Sequence, residues 1–162
     1  MSIPKPLKLE PHALYILLLD LGNNSAFNWQ LYLAATVTTG RTFHITNEAG
    51  PIAWECKSEA VNDIGSSSRL VLALQVGVVE PVLHAALARR LALVPLALYS
   101  VRFWEELCCR VWVQEALYAL DDEGYLGLGS SVRDIEREAR RLGVFNKSRG
   151  VRSVVRSKAC IE

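Results

Sequence analysis

The sequence predicts an α+β domain: an antiparallel meander of about four to six strands packed against two to four helices. Three observations predict it. Short apolar or alternating runs fill the first half of the chain, apolar residues recur at helical spacing in the second half, and the change of period falls near Glu80. Length and composition agree. The 162 residues suit one domain, and a hydrophobic share of 51% against 22% charged residues describes a folded chain with a large core.

Residues 1–11 read as an arm, interrupted by Pro4, Pro6 and Pro11. Leu14–Leu19 is continuously apolar, the mark of a strand buried on both faces. Leu21-Gly-Asn-Asn-Ser is turn chemistry. Phe27–Ala35 alternates, with Phe27, Trp29, Leu31 and Leu33 on one face and Asn28, Gln30 and Tyr32 on the other. Thr38-Thr39-Gly40 supplies a hairpin loop, Arg41–Thr46 the return strand, and Ile52–Cys56 a third strand of the meander. Val61–Ser68 reads as a polar loop and Leu70–Val76 as a further buried strand.

After Glu80 the spacing of Val82, Leu83, Ala86, Leu87 and Arg90 predicts a short helix, with Pro81 suited to its first position. Leu91–Tyr99, broken by Pro95, is a short strand or a connector. A helix is predicted from about Glu105 to Asp121, lined by Leu107, Cys108, Val111, Trp112, Ala116 and Leu120. Ser131-x-x-Asp134 starts a last helix that Gly143 is expected to stop. The expected organisation is therefore an arm (1–11), one α+β domain (12–145) and a basic tail (146–162).

Charge is balanced at +1 but unevenly placed. Residues 1–132 carry nine Lys/Arg against thirteen Asp/Glu, a net of −4, whereas residues 133–162 carry nine against four, a net of +5. The basic segment has no aromatic residues beside Lys147–Lys158 to stack bases, so a solvated tail is expected and no nucleic-acid partner. No apolar run approaches the ~20 residues needed to cross a bilayer, and the Pro-broken start is no secretory signal. A cytoplasmic location is expected. Four cysteines without a C-x-x-C pair predict neither a disulfide framework nor a metal site, and no cofactor is implied. The apolar excess is compatible with an apolar cleft or a homodimer interface.

Two segments carry the candidate chemistry: Phe27-Asn-Trp-Gln-Leu-Tyr-Leu with Arg41-Thr-Phe-His-Ile-Thr-Asn across the hairpin, and Leu107-Cys-Cys-Arg-Val-Trp-Val-Gln-Glu-Ala-Leu. Together they resemble the papain-like acyltransferases of the lecithin–retinol acyltransferase type, over about 30 of the 162 residues in three patches. The resemblance implies a papain-like layout, with Cys109 at the nucleophile position, His44 at the orienting position and Asn28 at that of the base. Such a cysteine would gain thiolate character from the helix N-terminus and lose its proton to an imidazole. Asn28 cannot accept that proton, and Cys108 replaces the asparagine usual before the cysteine.

His44 replaces the missing base only if it faces Asn28. A hairpin loop of three or five residues puts them on one face and a loop of four on opposite faces; Gly40 favours three. The chain also resembles, in size and apolarity, small fungal natural-product proteins such as the sordarin-type Diels–Alderases. That resemblance implies a secondary-metabolite cyclase or isomerase that promotes an intramolecular Diels–Alder type reaction of an apolar substrate without a covalent intermediate. Asn28, Gln30, Tyr32, His44 and Arg110 would be its hydrogen-bond donors and Trp29 and Trp112 its walls. The alternatives are a cysteine acyltransferase or hydrolase using Cys109 with His44, and a non-catalytic binding protein.

Overall fold

A computed structural model describes residues 5–22 and 26–161 of the chain. The expected start of the arm, with Pro4, and residues 23–25 of the predicted turn lie outside the described residues. The elements in order are β1 (Ala13–Asp20), β2 (Phe27–Ala34), β3 (Thr39–Thr46), β4 (Glu55–Asn62), β5 (Leu70–Val78), α1 (His84–Ala92), β6 (Tyr99–Ser100), β7 (Glu105–Glu106), α2 (Cys109–Asp122), α3 (Val132–Arg149) and β8 (Ser153–Arg156). Six strands make one sheet in the order β4-β3-β2-β1-β5-β8, and β6 pairs with β7 as a separate short hairpin. All neighbours in the sheet are antiparallel except β5 and β8. The α+β class is the one the sequence predicts.

The apolar run in β1 places it at the centre, with Leu14, Tyr15, Ile16, Leu17 and Leu18 all fully buried. Because side chains alternate across a strand, such a run demands cover on both faces. Leu14, Ile16 and Leu18 join Trp29, Leu31, Leu33, Leu72 and Leu74 in the main core, against Val111, Trp112, Ala116, Ile135 and Ala139 of α2 and α3. Tyr15 and Leu17 join Tyr32, Ala34, Leu70 and Ala73 in a second core, closed by Leu7 and Leu9 of the arm and by Ile64. Each of these leucines contributes about 1.5–3 kcal/mol on burial.

The arm is tied to the 3₁₀ turn at Ile64–Ser66 by the Leu7 N–H donating to the Gly65 C=O at 3.0 Å. Gly65 is required there, since a Cβ would lie 2.0 Å from the Leu7 oxygen. Arg152, just before β8, donates to the carbonyls of Leu70, Gly65, Ser67 and Lys5 at 2.7–3.3 Å. One guanidinium thus stitches the end of the chain, the turn and the arm over the second core.

Several boundaries differ from the sequence reading. The third meander strand lies at Glu55–Asn62 rather than Ile52–Cys56, and much of the expected polar loop is strand. It is an edge strand with Glu55, Lys57 and Glu59 on one face, so its polarity conceals its pairing. α2 begins at Cys109 rather than Glu105, because Glu105 and Glu106 pair with Tyr99 and Ser100. Leu91–Tyr99, read as a short strand or a connector, holds the end of α1, a connector and the first residue of β6.

α3 starts as predicted, the Asp134 N–H donating to Ser131 Oγ at 3.1 Å, but it runs through Gly143 and ends at Gly150 in the left-handed region. Gly143 lets α3 press onto β1: a Cβ there would sit 2.5 Å from Leu18 Cδ1. Residues 146–162, expected as a tail, supply the end of α3 and β8, and Asn146 donates to the Val71 C=O at 3.0 Å.

Tyr32 Oη is buried with no hydrogen-bond partner among the described residues. Burial, then the neighbouring Tyr15 and Asp63, push its pKa from 10 up to about 12. The folded phenol therefore holds its proton more tightly than the unfolded one, so its titration leaves stability unchanged below pH 10 and lowers it as pH rises toward 12. We predict that Tyr32→Phe, which removes an unpaired buried hydroxyl, raises stability at pH 7 by on the order of 1 kcal/mol. Denaturant titration also gives a shallower alkaline loss for the variant; a less stable variant contradicts the assignment.

Candidate functional site

The sequence brings Cys109 to the first residue of α2, after an extended Cys108 that offers no side-chain cap. The hydrogen-bonded pairing of β2 with β3 runs from Leu31↔Phe43 to Ala34↔Gly40, so the start of β2 lies beyond it. Cys109 docks on that stretch. Its Sγ accepts from the Trp29 N–H at 3.5 Å and donates toward the Phe27 C=O at 3.8 Å, the two backbone groups that flank Asn28. Burial pushes the thiol pKa up, partly opposed by the Trp29 N–H. The position is that of a helix-start nucleophile, but the sulfur serves as a neutral hydrogen-bonding plug against β2.

The hairpin places the other two residues away from it. Five residues, Ala35–Thr39, separate the last pair Ala34↔Gly40, in place of the three that Gly40 suggested. Gly40 is needed for another reason: a Cβ would meet the Tyr32 ring at 2.4 Å. The odd loop puts Asn28 and His44 on one face, with Tyr32 of the second core and the buried Thr42. Cys109 packs instead with the main core on the helix side. Asn28 Oδ1 accepts from Gln30 Nε2 at 3.0 Å, and His44 Nε2 lies 3.9 Å from Glu59 Oε1. No imidazole is hydrogen-bonded to the Cys109 sulfur among the described residues, so Asn28, His44 and Cys109 do not form one constellation.

The expected binding residues are also distributed otherwise. Trp29 and Trp112 are core side chains, 4% and 0% exposed, and Tyr32 is sealed in the second core. They line no cleft. Arg110 forks onto Glu105 at 2.6 and 2.9 Å and reaches Gln114 and Glu136. That fork holds the Glu105 carboxyl below its usual range and raises the Arg110 pKa.

What the fold does open is a cleft of about 320 Å³ between α1 and the β2–β3–β4 end of the sheet. Its walls are Leu33, Ala35, Phe43, Ala60, Ala85 and Ala88, and its polar groups come from Thr39, Arg41 and His84. The cleft exists because small residues face one another: Ala85 and Ala88 on one side of α1, Ala35, Gly40 and Ala60 on the sheet. Arg41 Nη1 is hydrogen-bonded to Ser58 Oγ at 3.1 Å. His84 Nε2 donates to the Val79 C=O at 2.8 Å, which fixes the proton on Nε2 in the neutral ring and leaves Nδ1 as an acceptor.

His84 packs edge-on against His12 at 5.6 Å, and His12 Nδ1 is buried without a partner among the described residues. Read from sequence alone, His12 and His84 are surface residues with no role. The signal available was Pro81-x-x-His84-Ala85-x-x-Ala88, a histidine on a thin helix face. Among the described residues no group of three or more His, Cys, Asp or Glu is placed to hold a metal ion.

We predict that Cys109→Ala lowers stability by about 1–2 kcal/mol, since it strips both β2 backbone groups of their partner, and that Cys109→Ser recovers part of the loss. Because the thiol is raised and half-hidden, iodoacetamide alkylates Cys109 at neutral pH more slowly than free cysteine. Mass-resolved labelling checks this, and faster labelling than the free amino acid contradicts a neutral plug.

Compared with protein-family models, with curated proteins and with solved structures, the chain matches none.

Proposed function

We propose that the protein binds a small, largely apolar organic molecule in the α1 cleft and promotes its cyclisation or isomerisation without a covalent intermediate. The observation that carries the reading is the cleft itself: apolar walls of Leu33, Phe43 and alanines, with Arg41 and His84 as its charged or titratable groups. Substrate pockets have this character, apolar surface with a few convergent polar groups. An intramolecular rearrangement needs a reactive conformer held in place and a carbonyl polarised by one or two donors. The Arg41 guanidinium supplies a donor, and the His84 ring, oriented by its Nε2 bond to the Val79 C=O, supplies a second polar group.

The cysteine route is the weaker reading. Thiol catalysis needs a thiolate and a proton acceptor beside it. The Cys109 pKa is raised, and its sulfur is hydrogen-bonded to backbone. The polar groups expected at the catalytic centre, Asn28 and His44, share a face with the second core instead.

Anilinonaphthalene sulfonate, an apolar ring system with one anionic group, is a suitable probe. Its fluorescence should rise on binding the wild type, fall at least tenfold in apparent affinity in Ala88→Trp, which fills the cleft, and fall several-fold in Arg41→Gln. Circular dichroism confirms that both variants fold. For the reaction, a linear polyene bearing an activated alkene should cyclise faster or with altered stereochemistry in the presence of the wild type and of Cys109→Ser, but not of Ala88→Trp. Activity lost in folded Cys109→Ser and kept in Ala88→Trp would return the assignment to thiol chemistry.

A further inference from the structure

A second cavity, of about 360 Å³, lies between the β6–β7 hairpin, the start of α2 and one face of α3, and shares no lining residue with the α1 cleft. Its chemistry is the opposite. α3 contributes Arg133, Glu136, Arg137 and Arg140, spaced i, i+3, i+4 and i+7 and so on one helix face. α2 adds Arg110 and Gln114, one turn apart, and the hairpin adds Phe103, Trp104 and Glu105. Four guanidiniums therefore face two carboxylates, an excess of two positive charges in one concavity.

The carboxylates are already engaged by two of the arginines. Arg110 forks onto Glu105, and the buried Glu136 sits between Arg110 at 3.6 Å and Arg140, which is hydrogen-bonded to it. Arg133 and Arg137 carry the surplus. Arg133 Nη2 donates to the Phe103 C=O at 2.9 Å, a bond that fixes the side chain and uses one of its five N–H donors. Among the described residues Arg137 is paired with the exposed Asp134, at 3.4 Å and outside the cavity lining. Guanidiniums recognise phosphate through paired N–H donors.

Trp104 supplies the other half. It is 73% exposed and sits at the hairpin with φ 59°, in the left-handed region that an indole side chain rarely adopts. Neither exposure nor this backbone conformation favours tryptophan in a purely structural role, where glycine or asparagine would serve. An exposed indole at the rim of a cationic hollow offers a stacking surface to a planar ring.

We propose that this cavity binds a small aromatic phosphate of the mononucleotide type, its phosphate between Arg133 and Arg137 and its ring on Trp104. The two requirements are separable, because the ring and the anion contact different elements.

Adenosine monophosphate is the probe, with adenosine and inorganic phosphate as its halves. Titration followed by calorimetry and by tryptophan fluorescence gives saturable sub-millimolar binding of the nucleotide, with quenching, and binding at least tenfold weaker for either half. Raising the salt from low to physiological strength weakens the nucleotide several-fold. Arg137→Gln, on an exposed helix position, lowers affinity roughly tenfold while leaving the unfolding midpoint in place; Arg133→Gln lowers affinity as much and, losing the bond to the Phe103 C=O, lowers the midpoint slightly. Trp104→Gly lowers affinity at least fivefold and leaves the midpoint unchanged or higher, since it removes the ring and relaxes the backbone; a merely structural tryptophan would lower it. The proposal is overturned if the nucleotide fails to bind at millimolar concentration, if adenosine or phosphate alone binds as well, or if the arginine variants bind normally.

Discussion

The double burial of β1 is the constraint from which the rest of the architecture follows. A strand whose five central residues are all sealed cannot sit in a two-layer sheet with one wet face. Helices cover one side, and α3 comes so close that only glycine fits at position 143 against Leu18 and Phe27. Among the described residues no α-helix covers the other side. Leu7, Leu9 and Ile64 close it, and Arg152 holds their backbone by bonding four carbonyls from three separate segments. The salt bridge of Lys147 to Asp20 at 2.8 Å anchors the end of α3 to the end of β1 and holds the Asp20 carboxyl below its usual range. The two ends of the sequence are thus part of the packing problem that the centre of the sheet poses.

How much of this was legible varies with the kind of signal. β1 was readable because a buried strand writes itself as an unbroken apolar run, and β2 because Phe27, Trp29, Leu31 and Leu33 alternate with Asn28, Gln30 and Tyr32. The start of α3 was readable because Ser131 and Asp134 form a local cap that needs no tertiary partner. β4 and β8 were not, since an edge strand such as Glu55–Asn62 owes its structure to a neighbour's hydrogen bonds and keeps charged side chains against aggregation. Gly143 misled for the complementary reason: a glycine that stops a helix and a glycine that admits a neighbouring strand look alike until the neighbour is in place.

The candidate site shows a sharper limit. Parity along β2 and β3 correctly tied Asn28 to His44, because a five-residue loop preserves it. Parity does not say which face the helices cover. Cys109 arrives from α2 on the main-core side, so a motif with the right order and the right helix-start cysteine assembles two of its members on the face that the cysteine does not reach. The cysteine then takes up a backbone role, filling the place beside Phe27 and Trp29 where pairing with β3 is absent. The alanines of the α1 cleft were invisible for yet another reason. Each is an ordinary residue where it stands, and only their convergence from the β2–β3 loop, β4 and α1 leaves space.

The two concavities differ in the character of their linings. The α1 cleft has mainly apolar walls, with Arg41 and His84 among its few polar groups. In the hairpin cavity the surroundings are charged and open, and binding there must rest on several guanidiniums acting together, because single exposed ion pairs contribute little. Glu105 and Glu136 matter in that balance. They engage Arg110 and Arg140, which leaves Arg133 bonded to a carbonyl and Arg137 paired with the exposed Asp134 at the edge of the cavity. A fold that tolerates such a surplus on the face of α3, beside a tryptophan turned outward in the left-handed region, sets aside part of its electrostatic stability there, and a dianion with a planar ring satisfies both departures at once.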